Sequence, residues 1–587
     1  MKTQDESEKI MVMGYLVIAA FLLLIMRLWQ LQILQGSEYR KLSEANRLRI
    51  VNIPAPRGII FDRNHIPLVK NSAYYYASVI PGEFDQSKMN LLANVLKIPA
   101  EEIHAQMNIT GASPFVPVRL KQGLSFQEIA YIEAQKSDFP GLMIEAEVSR
   151  EYPYGDLGSH LLGYLGKPSP SQLKDPAFKD VPPDMFVGQW GIEKLFDDSL
   201  RGIPGKRIIE VNALGRQLRM LQETPPVKGN DMTISIDLNL QREAEKAFGE
   251  RAGALVALKP ATGEILGMIS KPSFDPNLFT RGMSYDQWTA ITANRKNPML
   301  NRALQSQYPP GSTFKIVTAF AGLEEGVIMP DTKVDCRGGI RYGNRHFGCW
   351  RREGHRVVSL HRAIVESCDV YFYEVGRRLG IDRIHEYATG LGLGEKTGIE
   401  LGKERQGLIP STAWKKETKK LPWFPGETLN AAIGQGYVSV TPIQLAYMMS
   451  VVANGGTRYK PSLIKDAEPV IAGTIKVIPE NLSLVKKGLF GVVNEPSGTG
   501  WRAKSSLTSV SGKTGTAQVI AYRKGSAYLS ERFRDHAWFV AFAPDEKPEI
   551  ALAVLVEHGG HGGAAAAPIA KTAIEAYMKS MQSLDLR

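Results

Sequence analysis

The chain has 587 residues, 43% of them hydrophobic and 22% charged, a globular composition that excludes a disordered or collagen-like protein. Its net charge of +11, from 71 Lys and Arg against 60 Asp and Glu, is spread without a long basic block. Nucleic acid is therefore not an expected partner, whereas an anionic membrane surface or substrate stays open, and three cysteines exclude a disulfide-rich scaffold. From the N-terminus, Ile10 to Met26 carries no charge, and Leu28 to Leu34 extends the apolar character past Arg27. A span needs about 20 apolar residues, so 10–34 reads as a transmembrane signal anchor with Trp29 at the interface, preceded by a cytoplasmic tail over 1–9. A cleaved signal peptide is the rival, but its small pair, Ala19-Ala20, lies inside the apolar run and no small-x-small site follows.

Flanking charge points the other way. Lys2 and Lys9 precede the span, whereas Arg27, Arg40, Lys41, Arg47 and Arg49 follow it, and the positive-inside rule would keep the bulk cytoplasmic. Large domains translocate regardless of such charges, and the chemistry below requires the outer side. Residues 35–228 mix short apolar runs with Gly/Pro turns such as Pro54-Ala55-Pro56-Arg57-Gly58, which predicts an irregular α+β pedestal. From 229 to the end the pattern sharpens. Leu255 to Met268 reads as two strands around Lys259-Pro260-Ala261-Thr262-Gly263, and Ala537–Pro544 with Glu549–Glu557 as a second hairpin. Pro568 to Met581 reads as a helix, and residues 311–460 as mostly helical. Hairpins imply an antiparallel sheet flanked by helices.

Tyr308-Pro309-Pro310-Gly311-Ser312-Thr313-Phe314-Lys315 puts a turn before an amphipathic run, placing Ser312 at a helix start where free N–H groups favour developing negative charge. Lys315, three residues on, lies on the same face within reach of the Ser312 hydroxyl and can serve as its base. The spacing alone is weak, since Ser171/Lys174, Ser462/Lys465 and Ser483/Lys486 share it. Two further elements select Ser312. Ser367-Cys368-Asp369 opens a helical run, and Lys513-Thr514-Gly515-Thr516 precedes a strand-like Ala517-Gln518-Val519-Ile520. Ser-x-x-Lys, Ser-Asp-Asn and Lys-Thr-Gly are the known set of serine β-lactamases and penicillin-binding proteins. Lys396-Thr397-Gly398 is a decoy in a Gly-rich loop.

With these residues the chain resembles the class B penicillin-binding proteins over nearly its whole length. Arg57-Gly58-Ile59-Ile60-Phe61-Asp62-Arg63-Asn64, Arg150-Glu151-Tyr152-Pro153 with His160-Leu161-Leu162-Gly163-Tyr164, and Gly188-Gln189-Trp190-Gly191-Ile192-Glu193 resemble the family's pedestal motifs. We read their Arg, Asp, Tyr and Gly residues as fold determinants. Asn430 to Tyr437, followed by Thr441-Pro442, resembles the segment beside the family's cleft, and the Tyr-Pro-Pro-Gly lead-in leans toward its elongation branch. The resemblance implies one N-terminal membrane helix, an elongated pedestal and a C-terminal penicilloyl-serine transferase (β-lactamase-like) domain. It implies a peptidoglycan D,D-transpeptidase of the inner membrane, its bulk on the periplasmic side, that acylates Ser312 with a stem peptide and is a target of β-lactams. Lys315 would be the base, Ser367 a proton relay, Asp369 a neighbour of the lysines where many relatives have Asn, and Lys513, Thr514, Gly515 and Thr516 the carboxylate-binding strand. No glycosyltransferase segment precedes residue 229, so the resemblance also implies a SEDS-family glycan polymerase and other elongation proteins as partners. A β-lactam receptor would carry several spans, and a catalytically silent scaffold would not keep Ser312, Lys315 and Lys513.

The chemistry needs no cofactor, but a structural zinc is suggested by the cysteines. Cys336, Cys349 and Cys368 cluster with His355 among them, and zinc takes four such ligands; His346 and His361 are substitutes. A Cys336–Cys349 disulfide with free Cys368 is the rival.

Overall fold

The computed structural model describes residues 2–108, 114–179, 181–183, 185–212, 217–519 and 533–585. The chain forms two compact units, the smaller from Met1–Arg57, Asn71–Ser149 and Arg201–Gly229, the larger from Gly58–Lys70, Arg150–Leu200 and Asn230–Arg587. The smaller begins with a helix over Lys2–Trp29 and a π-helical turn over Gln30–Leu34. Ile10–Leu34 is apolar and long enough to cross a membrane, and none of its most apolar window is buried. In the same unit Leu48–Ile53, Gly205–Val211 and Gln217–Thr224 form an antiparallel sheet. A separate core gathers Val79, Leu92, Leu96, Ile103, Ile132 and Phe139 from short helices and strands.

The larger unit is built on five antiparallel strands: β1 (Gly253–Leu258), β2 (Ile265–Lys271), β3 (Ser511–Ala517), β4 (His536–Ala543) and β5 (Ile550–Val556), in the order β2-β1-β5-β4-β3. Alternate residues of β1, β2, β4 and β5 enter different cores. Ala551, Ala553 and Leu555 face one, while Ile550, Leu552, Val554 and Val556 face the other. The second core is closed by helix α1 (Leu238–Phe248) and by the C-terminal helix α6 (Ala567–Asp585), which contributes Ile569, Ala573, Ile574 and Tyr577. On the first face lies helix α5 (Pro442–Asn454), whose buried residues run without a break from Pro442 to Ala453, as a helix apolar on all sides requires. Both hairpins and the C-terminal helix read from the sequence are present.

Residues 311–460 supply α2 (Lys315–Glu324), α3 (Asp369–Leu379), α4 (Pro425–Ala432) and α5. The helical expectation fails between them. Val334–Cys336 pairs with Arg356–Val358, and Gly339–Tyr342 with Arg345–Gly348, as two small antiparallel ladders. β-branched Val334, Val357 and Val358 and the turn at Gly343, where φ is +58°, favour strands there.

The pedestal motifs inside the larger unit hold the backbone together, as expected of fold determinants. Buried Arg150 donates from Nε to Glu193 Oε1 at 2.6 Å and from Nη1 to Gly58 O at 2.7 Å. Buried Asp62 accepts from the Asn64 and Ile66 N–H groups at 2.8 Å each and from Leu238 N at 3.2 Å. At Gly163, with φ +83°, a Cβ would lie 1.8 Å from Trp190 O, so only glycine fits.

Candidate active site

Ser312 sits in a single 3₁₀ turn, Gly311–Phe314, that runs directly into α2. The turn is pressed against β3. Gly311 N donates to Gly434 O at 3.0 Å, and a Cβ on Gly311, whose φ is +55°, would lie 2.3 Å from Thr516 O. Gly515 is close as well, its missing Cβ 2.8 Å from Pro310 O. The Lys-Thr-Gly-Thr strand and the Ser312 turn thus touch backbone to backbone. The motif itself forms β3, as the resemblance implied, ahead of the strand-like run at 517–520, and is paired residue for residue with β4 from Ser511↔Phe542 to Ala517↔His536, with Lys513 and Thr514 buried on opposite faces. Ile520 lies outside the described residues.

Lys315, the first residue of α2, is 1% exposed. Its Nζ donates to Asp369 Oδ1 at 2.7 Å, Ser367 O at 2.8 Å and Ser367 Oγ at 3.2 Å. Among the described residues it makes no hydrogen bond to Ser312, the partner the spacing suggested, because the Ser367–Asp369 corner offers three acceptors at once. Lys513, fully buried, donates to Ser367 Oγ at 2.9 Å and Thr514 O at 3.2 Å. Burial, reinforced by the Lys315 charge, holds the Lys513 amine well below the usual lysine range. Ser367 Oγ therefore joins the two lysines, and it does so from a left-handed backbone, φ +56°. Asp369 uses its second oxygen as well: Trp350 N donates to Oδ2 at 2.8 Å, and the Trp350 indole donates to Ser367 O at 3.0 Å.

The other strand residues are held in place. Thr514 Oγ1 lies 2.9 Å from Thr499 Oγ1, and Thr516 O accepts from Gln435 Nε2 at 3.1 Å. The decoy is a loop in which Thr397 donates to Glu404. Of the unused Ser-x-x-Lys matches, Lys465 turns to Asp466 and Lys486 to Ala453 O. Sequence reasoning missed Trp350 and the Tyr308–Glu557 contact described below, while Gln435 falls in the segment that the resemblance set beside the cleft; for Trp350 the sole hint is its place directly after Cys349.

Cys336, Cys349, His355 and Cys368 meet, all buried, with their ligand atoms within 4.8 Å of one another. His355 Nδ1 lies 3.6 Å from Cys336 Sγ and 3.5 Å from Cys349 Sγ. The three thiols are free, so the disulfide alternative is not formed. The Cys368 thiol and His355 beside Cys349 draw that thiol toward the thiolate, the form a metal binds. The substitute ligands are elsewhere: His361 pairs with Glu495 at 2.8 Å, and His346 is exposed on its ladder.

The penicillin binding protein transpeptidase domain matches residues 253–575, and the penicillin-binding protein dimerisation domain matches 52–234. The peptidoglycan D,D-transpeptidase MrdA of Acinetobacter baumannii is 36% identical, over 97% of this chain and 88% of its own. The Helicobacter pylori penicillin-binding protein 2, solved in complex with MreC, superposes with a TM-score of 0.76 at 30% identity, covering 90% of this chain and 98% of that one. A chain from a peptidoglycan synthase complex that coordinates polymerisation and crosslinking superposes at 0.74 with 32% identity, covering 97% and 98%. With the Ser312 turn, the Ser367 corner and the Lys513 strand brought together and matches along nearly its whole length, the chain belongs to the class B penicillin-binding proteins of the penicillin-binding protein 2 type and is a serine-type peptidoglycan D,D-transpeptidase.

Proposed function

We propose that Ser312 is the nucleophile and that the reaction runs through its ester during cell elongation. Ser312 Oγ attacks the penultimate D-Ala carbonyl of a stem pentapeptide while its proton passes to Lys315 Nζ in its neutral form, which keeps two of its three N–H contacts, and collapse of the tetrahedral intermediate expels terminal D-Ala as an amine that takes that proton by way of Ser367. An amine of a neighbouring stem then attacks the ester, forming the cross-link and returning the proton to Ser312. The incoming substrate carboxylate favours the charged form of Lys513, which holds it with Thr514 and Thr516 by charge-assisted bonds, with Gly515 leaving room for the turn, and the N–H groups of Ser312 and Thr516 stabilise the oxyanion. Asp369 orients Lys315. The observation that carries this reading is Ser367 Oγ, 3.2 Å from Lys315 Nζ and 2.9 Å from Lys513 Nζ, beside a Ser312 turn packed on β3. β-Lactams acylate the same oxygen. Intact-mass analysis after incubation with a penicillin, with peptide mapping, should place one adduct on Ser312 and none on Ser312→Ala; an adduct elsewhere overturns the assignment.

The cysteine cluster takes a structural zinc, held by Cys336, Cys349, His355 and Cys368. Bonds of about 2.3 Å to sulfur and 2.0 Å to nitrogen at tetrahedral angles put S and N about 3.5 Å apart, which matches the His355 contacts. The metal supplies no step of the reaction. It ties Cys368, and so the corner between Ser367 and Asp369, to the small ladders.

The tail 1–9 is cytoplasmic, 10–34 anchors the chain in the inner membrane, and the pedestal 35–228 and transpeptidase domain 229–587 lie on the periplasmic side with the stem peptides. The partners are a SEDS-family polymerase, engaged through the membrane helix and pedestal, and other elongation proteins; relatives solved with MreC and in a synthase complex support this. A reporter fused at Arg587 that is active only in the cytoplasm would refute the topology.

A further inference from the structure

The segment leading to Ser312 is stiff. Pro309 and Pro310 each have φ fixed by their rings, so a displacement at Tyr308 reaches Gly311 and Ser312 with few soft torsions to absorb it. Tyr308 is also the point where the segment is fastened. Its backbone exchanges two hydrogen bonds with Val440, both 2.9 Å. Its ring sits edge-on to His536 and Trp538 of β4, and the Trp538 indole donates to Pro309 O at 3.0 Å.

The hydroxyl makes the third attachment, donating to Glu557 Oε1 at 2.5 Å. Glu557 follows the last residue of β5, and the same oxygen accepts from Arg302 Nε at 3.0 Å. Arg302, 3% exposed, is itself locked, donating to Lys296 O at 2.6 Å and Asn297 O at 3.3 Å. Burial and the neighbouring Glu557 charge push the Tyr308 phenol above its usual range, so it remains a donor. A carboxylate on one side and a fixed guanidinium behind it make a charge-assisted tether, stronger and more directional than a neutral pair.

We infer that Tyr308, Glu557 and Arg302 form a positioning tether that sets where Ser312 Oγ stands relative to β3. The inference rests on Ser312 being the nucleophile. None of the three residues reaches the reacting atoms; they act through the Pro-Pro-Gly turn. Near-attack geometry is steep in distance, and a misplacement of about 1 Å can cost about 100-fold in rate, so a partly slackened turn should cost about tenfold.

The test is stopped-flow acylation of the full chain by a chromogenic penicillin, resolved into the non-covalent dissociation constant and the acylation rate constant. Peptide mapping of the wild-type adduct comes first. An adduct away from Ser312 defeats the nucleophile assignment, whereas Tyr308→Phe or Glu557→Ala acylating like wild type defeats the tether. Tyr308→Phe, which deletes only the hydroxyl, should slow the acylation rate constant about tenfold with the dissociation constant unchanged. Glu557→Gln keeps an oxygen that accepts from both Tyr308 and Arg302, and should stay within about threefold of wild type; Glu557→Ala should match Tyr308→Phe. A merely structural contact would lower the melting temperature and leave the rate constant of the folded protein alone. Wild-type rate constants in folded Tyr308→Phe, or in folded Glu557→Ala, overturn the inference, and if Glu557→Ala does not fold, Tyr308→Phe alone decides it.

Discussion

Trp350 donates its backbone N–H to Asp369 Oδ2 at 2.8 Å, while the other oxygen of that carboxylate holds Lys315 at 2.7 Å. Both neighbours are donors, so the residue between them must accept on both sides. An ionised carboxylate does; an amide presents one oxygen and one NH₂.

Asp369→Asn should therefore leave either Lys315 or the Trp350 N–H facing a donor. An unsatisfied buried donor costs about 1–3 kcal/mol, so acylation by penicillin should slow by about 10- to 100-fold in a folded variant. Rates equal to wild type would mean that one acceptor is enough.

Gly311→Ala tests the contact between turn and strand. The new methyl would meet Thr516 O at 2.3 Å from a backbone at φ +55°, so the turn must lift off β3. We expect acylation to fall by about 100-fold or more while circular dichroism is retained. A variant that still labels at the wild-type rate would show that the turn has slack.

Two buried groups give opposing pH dependences. Burial lowers His160, which lies with Nε2 2.7 Å from Pro298 O, to about 4. The unfolded chain then binds a proton the folded one refuses, so stability is lost as pH falls from about 6.5 toward 4. Burial raises Glu245, which accepts from Gly158 N, to about 7, and its contribution is lost as pH climbs from about 4.5 through 7. Each is worth about 3 kcal/mol, and they nearly cancel across the shared window. Glu245→Gln keeps an acceptor for Gly158 but removes one slope, so between pH 6.5 and 4.5 its melting temperature should drop by several degrees more than that of wild type. Parallel curves would refute this.

For the metal, elemental analysis should find about one zinc per chain, lost in Cys349→Ser together with thermal stability and acylation rate, since metal binding is coupled to folding. A zinc-free wild-type protein with full acylation would remove the metal from the account.

The central sheet was legible because strands buried on both faces read as unbroken apolar runs, as Ile550–Val556 does. That Lys315, Ser367 and Lys513 meet was legible through three motifs taken together, since the Ser-x-x-Lys spacing alone recurs elsewhere, and the meeting of Cys336, Cys349, His355 and Cys368 through their crowding in a chain with few thiols. The ladders at 334–358 were not, since strands of three or four residues are too short to display a period of two. Nor was the Tyr308–Glu557 bond, which joins positions 249 apart with no local pattern to announce it. The direction taken by Lys315 was equally hidden, because spacing places a side chain on a face but does not choose among acceptors brought there by another helix.

Ser367 carries a cost of its own. A left-handed backbone penalises any residue with a Cβ by about 1–2 kcal/mol, and glycine would remove that penalty. In Ser367→Gly that relief is offset by the loss of the oxygen both buried lysines share, about 1–3 kcal/mol for an unsatisfied donor, so its melting temperature should stay close to wild type while acylation falls. Screens for thermostability would pass the change and screens for cell-wall synthesis would discard it, which makes this position one that turnover holds in place and robustness does not.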